Sequence, residues 1–268
     1  AAACTGAVEL VPVGAEIVVW VLLWALYLSV VNVGQTWYGF GWETLLLETG
    51  VLAVLISPRG AAPPVLVLWA LKWLLFRLEF GAGLIKWRGD PCWRNLTCLR
   101  YHHETQPMPN PLSWYFHHLP PWAHRVEVAA NHVTQLVVPF ALFLPQPASS
   151  VAALVMIATQ CWLLLSGNFS WLNLLTIVIA TSVLDDRVLA GVVPLHEAAT
   201  PALGPWWHHI IVLVAVTAIV LLSYRPAKNL LSRHQAMNRS YDALHLVSSY
   251  GAFGSITKVR HEVEIECR

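Results

Sequence analysis

The chain has 268 residues, of which 57% are hydrophobic and only 12% charged. Soluble domains carry roughly 25% charged residues, so half that share, with a mean hydropathy of +0.57, excludes an ordinary soluble domain and points to a polytopic membrane protein. A net charge of +1 leaves no basic field to recruit nucleic acid, and five dispersed cysteines (Cys4, Cys92, Cys98, Cys161, Cys267) suit neither a disulfide scaffold nor a zinc ribbon.

The sequence begins AAACTGA, with no positively charged signal region, and reads as a fragment that lacks its N-terminus. A bilayer core about 30 Å thick needs roughly 20 apolar residues per helical span. Val13–Val33 meets that length. The following NVGQTWYGFGWE reads as an interfacial turn, because Trp and Tyr favour the headgroup level. Residues 43–57 are short for a span and carry Glu43 and Glu48. The next helix opens at Pro63-Pro64, where a missing N–H costs nothing, and runs to Ile85. It contains Lys72, Arg77 and Glu79. Lys72, Glu79 and Lys86 are spaced by seven and fall within about 20° of one helix face. Charges at membrane depth are expensive and pair inside the bundle. Glu43 and Glu48 are the expected partners, in an ion pair that packs two helices together.

Residues 86–121 form a polar loop between apolar segments. It contains Cys92 and Cys98, the sequon Asn95-Leu96-Thr97, four histidines and the proline-rich run TQPMPNP, a stiff extended connector that braces the loop. Arg88-Gly89-Asp90 is read as a turn into a helix rather than an adhesion motif. His102, His103, Glu104, His117 and His118 lack the HExxH spacing that puts two metal ligands on one helix face, and are read as surface histidines. Trp122–Leu144 returns to the membrane, with Asn131 and Gln135 four apart on one face, as suits bonding across helices. Ala148–Ser166 and Phe169–Leu184 make a tightly linked antiparallel pair. Val188–Pro205 is a loop, and Trp206–Tyr224 is the last span. In the tail, Leu230, His234, Met237, Tyr241 and Leu244 recur at helical spacing, whereas Thr257–Arg268 alternates as a half-buried strand does. One strand is not stable alone, so the tail reads as the cut start of a β-rich domain.

The segments WETLLLETGVLA, GLIKWRGDPCWRNLTCLRYHHETQPMPNPLSWYFHHLP, NHVTQLVVPFALF, LSGNFSWLNLLTIV and SYGAFGSITK run in order along most of the chain and resemble the lipase maturation factor family. The resemblance implies an all-α polytopic helix bundle over residues 13–224, in the endoplasmic reticulum membrane and contacting the bilayer, with about six or seven membrane segments by span length. Residues 225–268 would then be an amphipathic helix and the first strand of a lumenal β-rich domain. The implied function is a chaperone for immature secreted lipases that become dimers. Its client-contact candidates are the loop aromatics Trp87, Trp93, Trp114 and Tyr115.

Two signals bear on which side the loop faces. Asn95, Asn168 and Asn238 each head an acceptor sequon and fall on one side if seven crossings are counted. Asn95 is the glycosylation candidate, and the pair Cys92/Cys98 is the disulfide candidate for an oxidising compartment. The positive-inside rule argues the opposite through Lys86, Arg88, Arg94 and Arg100, but it weakens beside long soluble domains. The loop is therefore assigned to the lumen. No phosphate loop or nucleophile elbow is present, and no cofactor is expected. The alternative is a membrane enzyme, since the bundle also resembles vitamin K-dependent carboxylases and quinone-linked membrane proteins. In that case Lys72, Glu79 and Lys86, with His102 or His132, would serve acid/base chemistry.

Overall fold

A computed structural model describes residues 13–56, 61–191, 204–260 and 263. Helix α1 (Val13–Gly34) is apolar all round and mostly exposed, as a lipid-facing helix is. It docks on α2 (Gly41–Leu55) where the Trp24 indole donates to the Leu47 carbonyl at 3.1 Å and the Tyr27 hydroxyl donates to Glu43. Helix α3 (Val65–Arg88) follows Pro63-Pro64 and is the centre of the bundle. Its residues Val67, Leu71, Leu74, Leu75 and Leu78 lie in the main core, with Leu45 and Leu52 of α2 and Met156 and Ile179 from later helices.

The polar loop holds three short helices, α4 (Pro91–Arg94), α5 (Leu99–Thr105) and α6 (Ser113–His117), with residues 106–112 outside them. Asp90 caps α4 by accepting from the Cys92 amide at 2.9 Å, and Pro91 fills its first turn. Then come α7 (Pro121–Leu136), α8 (Val138–Ala141), α9 (Ala148–Ser166), α10 (Leu172–Thr181), α11 (Asp186–Ala190), α12 (Trp206–Leu222) and α13 (Tyr224–Leu231). Two-residue strands β1 (Arg239–Ser240) and β2 (Ser248–Ser249) pair antiparallel, Arg239 opposite Ser249.

The expected spans and tail elements differ from the structure in outline. Among the described residues, three helices are long and apolar enough to cross a membrane: Ala15–Tyr38, Ala148–Ser166 and Trp206–Leu231. The other segments fall short for separate reasons. Helix α2 has 15 residues and α10 has 10, against the roughly 20 of a full span. Helix α3 is long enough but carries five charged groups, at Lys72, Arg77, Glu79, Lys86 and Arg88. The expected span Trp122–Leu144 divides at Val137, because Pro139 has no N–H to continue the ladder.

The expected amphipathic tail helix stops at Leu231. Asn229 accepts from the Ala236 amide at 2.8 Å and donates to its carbonyl at 2.9 Å, closing a turn that the helix cannot pass through. Asn238 and His245 then adopt left-handed φ of 47° and 53°. The expected strand at Thr257–Arg268 is not seen over residues 257–260, and most of its remainder lies outside the described residues, as does most of the loop Val188–Pro205.

The tail wraps onto α3. Arg88 donates to the Leu230 carbonyl at 2.8 Å, Gln235 to the Gly81 carbonyl at 3.0 Å, and the Asp90 amide to Gly254 at 2.7 Å. Close approach is what Gly83 provides between α3 and α7: a Cβ there would meet that of Gln135 at 2.8 Å.

Candidate functional site

The charges of α2 and α3 separate into two groups. Arg77 and Glu48 form a buried ion pair, with side chains 1% and 2% exposed. Glu48 Oε2 also accepts from the Tyr250 hydroxyl at 2.8 Å and the Ser248 amide at 3.2 Å, while Arg77 donates to the Ser248 carbonyl. Arg77 lies between the rings of Trp73 and Tyr250, 5.6 and 5.8 Å from their centroids. Burial beside the Glu48 carboxylate holds the Tyr250 phenol well above the usual tyrosine range.

Of the two expected partners on α2, Glu48 takes Arg77. Lys72 does not reach Glu48; its ammonium sits 5.3 Å from the Trp69 ring. Arg77 is five residues from Lys72, about 140° further round the helix, and it is Arg77 that faces α2. Glu43 is likewise engaged elsewhere, by Tyr27.

The second group lines a cavity of about 730 Å³ between α3, α7, α9, α10 and the tail. Most of its walls are apolar, including Leu78, Val128, Leu163, Phe169 and Phe253. One side is a polar chain. Glu79 accepts from Gln160 at 2.6 Å and from Gln135 at 3.1 Å. The Lys86 ammonium donates to the Gln135 carbonyl oxygen at 2.8 Å and to Asn131 at 3.0 Å, and lies 5.2 Å from the Trp93 ring. Gln135 thus bridges the carboxylate and the ammonium, its amide oriented by both. A buried charge is tolerable when its lone pairs and protons are used in this way. Of the residues expected for acid/base chemistry, Glu79, Lys86 and His102 line the cavity, whereas Lys72 and His132 are not in its wall. Chemically the cavity can enclose an apolar body with one polar end against Lys86. Asn131 and Gln135 were legible as a shared helix face. Gln160 was overlooked, although a lone amide in an apolar span was its signal.

The loop histidines are the larger surprise. His102 and His103 are 8% and 4% exposed, not surface residues. Desolvation, and then the charge of Lys86, pushes His102 down to about 4. Desolvation and the neighbouring His102, His124 and His117 push His103 down to about 3, so both rings are neutral. His103 stacks near His124, centroids 5.7 Å apart, and His103, His124 and Glu127 bring one donor atom each within 4.8 Å of one another.

Cys92 and Cys98 are joined in a disulfide, and Asn95 between them is exposed. Trp87, Trp114 and Tyr115 are exposed, at 48%, 62% and 64%. Trp93 is not: at 3% exposure it packs with the disulfide, Val128 and Ile256, and its indole donates to the Phe253 carbonyl at 2.7 Å. It is therefore withdrawn from the client-contact set. The proline-rich run is anchored through Asn110, whose amide donates to the carbonyls of Leu164, Leu165 and Gly167 at 3.0–3.1 Å, closing the C-terminus of α9.

The chain is similar to known proteins along most of its length. Residues 2–191 match the family described as the lipase maturation factor transmembrane domain. The chain is 42% identical over 269 residues to lipase maturation factor 1 of Homo sapiens, covering 91% of this chain and 47% of the relative. It is also 42% identical to lipase maturation factor 1 of Bos taurus, covering 94% of this chain and 50% of the relative. Lipase maturation factor 2 of Homo sapiens is 40% identical over 207 residues, covering 70% of this chain and 29% of the relative. The chain thus spans about half the length, or less, of these curated relatives. No solved structure matches it. The relatives are named as maturation factors rather than as enzymes, and with the matched domain covering most of its residues the chain belongs to the lipase maturation factor family.

Proposed function

We propose that the chain is the membrane-embedded part of an endoplasmic reticulum maturation factor that holds immature secreted lipases while they fold and dimerise. The family's name supports the client class. The observation that carries the reading is a folded polar loop, closed by Cys92–Cys98 and held by Asn110, that exposes Trp87, Trp114 and Tyr115. Exposed aromatics on a fixed support suit apolar segments of an unfinished client. In this reading the helices cross the bilayer six or seven times, with loop and tail in the lumen; the exposed sequon at Asn95 and the disulfide support that orientation.

In cells deprived of the endogenous factor, the complete protein should restore secreted lipase activity. The variant Trp114→Ala/Tyr115→Ala, at equal membrane abundance, should restore several-fold less, with lipase synthesis unchanged. Equal restoration by the two would remove the aromatics from client binding. Orientation is tested separately by endoglycosidase digestion. Wild type should shift in mobility and Asn95→Gln should lose that shift, whereas an unmodified Asn95 together with protease-accessible loop residues in intact microsomes would put the loop in the cytosol.

A further inference from the structure

Where α5 meets α7, the geometry points to a second site: we propose that His103, His124 and Glu127 bind a divalent cation of the zinc class at the edge of the cavity. His124 and Glu127 are three apart on α7 and so share a face. His103 comes from α5, whose end is pinned where Gln106 donates to the His103 carbonyl at 2.9 Å and to that of Ser166 at 3.3 Å.

The hydrogen bonds determine which ring atoms are available. His124 Nε2 lies 3.3 Å from the His117 carbonyl oxygen, which can only accept, so this nitrogen carries the proton. Its Nδ1 faces Glu127 Oε2 at 3.2 Å, so as a ligand it would turn a lone pair to the same point as the carboxylate. A ligating histidine typically donates its other N–H to a carbonyl in this manner, which fixes its tautomer. His103 Nε2 supplies the third donor: it is buried and has no partner. The other Glu127 oxygen is held by the Trp162 indole at 2.8 Å, a support that aims the carboxylate.

All three donor atoms lie within 4.8 Å of one another. Zinc bound at 2.0–2.2 Å in a tetrahedron sets neighbouring ligands about 3.4 Å apart, so side-chain rotations of about an ångström close the set. Two imidazoles and one carboxylate suit zinc, whereas calcium and magnesium prefer all-oxygen shells. Three protein ligands leave a fourth position open. Because His103 and Glu127 line the cavity, that position faces into it and would take water or an oxygen donor of a molecule held there. The sequence alone conceals the set, since its members belong to two helices and lack a compact metal motif.

The test needs no lipase. The complete protein, purified in detergent and stripped with EDTA, is titrated with Co²⁺. One equivalent should bind with the intense visible absorption of a tetrahedral centre, and Zn²⁺ should displace it. Glu127→Gln is the key variant, because it keeps the shape and an oxygen for Trp162; it should weaken binding by about 100-fold, as should His103→Gln and His124→Gln, and Trp162→Phe by about tenfold. His118→Gln and His234→Gln should bind as wild type. Zn²⁺ should also raise the wild-type Tm but leave that of Glu127→Gln unmoved. A monodisperse wild type that binds no stoichiometric Co²⁺ and shows no Zn²⁺-dependent Tm shift overturns the site. Undiminished binding by Glu127→Gln or by the His103→Gln/His124→Gln pair overturns it as well.

Discussion

Arg77 illustrates how much one side chain can join. It reaches Glu48 on α2 and the Ser248 carbonyl in the tail, and packs between two aromatic rings. Replacing both members of such a buried pair by apolar groups can be nearly neutral, whereas removing one strands a charge. Arg77→Met should therefore lower stability by about 3–5 kcal/mol. The double variant Glu48→Met/Arg77→Met should lose clearly less than the sum of the two single losses. Thermal unfolding in detergent measures the cycle, and additive losses would mean that the pair does not interact. That Arg77 and Glu48 sit on neighbouring apolar helices was legible, since intramembrane charges seek each other. That Arg77, not Lys72, would take Glu48 was not, because the choice depends on how α3 is rotated about its axis.

Among elements, the central loop departs most from its sequence reading. Residues 106–112, which hold all of TQPMPNP but its first residue, stay outside the helices, while α4, α5 and α6 make the rest a compact cap with its own small core around the disulfide. Asp90 at the α4 cap, Pro91 after it and the short loop closed by Cys92–Cys98 are local signals and were readable. The burial of Trp93, His102 and His103 was not, because it depends on Phe253, Ile256 and α7 folding over them. A disulfide that closes so short a loop contributes about 2 kcal/mol by restricting the unfolded chain. Cys92→Ser/Cys98→Ser should therefore speed tryptic cleavage at the exposed Arg94 and Arg100 in detergent-solubilised protein, with helix content retained. Cleavage at the wild-type rate would show that Val128 and Ile256 hold the cap without it.

On the scale of the whole molecule, the tail is part of the bundle. Met237, Tyr250 and Phe253 form a wall of the cavity, and Ser248 and Tyr250 complete the shell of Glu48. A chain ending at Leu231 should unfold at a Tm several degrees lower than one that keeps the tail, since hydrogen bonds to a buried carboxylate are worth about 1.5–3 kcal/mol each. An unchanged Tm would make the tail an appendage. Composition and segment length determined by themselves that this is a helical membrane protein, because the lipid environment restricts which residues can stand in a span. Local motifs likewise determined the cap at Asp90 and the shared face of Asn131 and Gln135. Only the tertiary structure decided the partner of each charge, the burial of the histidines, the stop of the tail helix at Leu231 and the meeting of His103 with Glu127. These depend on contacts between residues far apart in the chain, and short-range periodicity carries no information about how packed helices are turned toward one another.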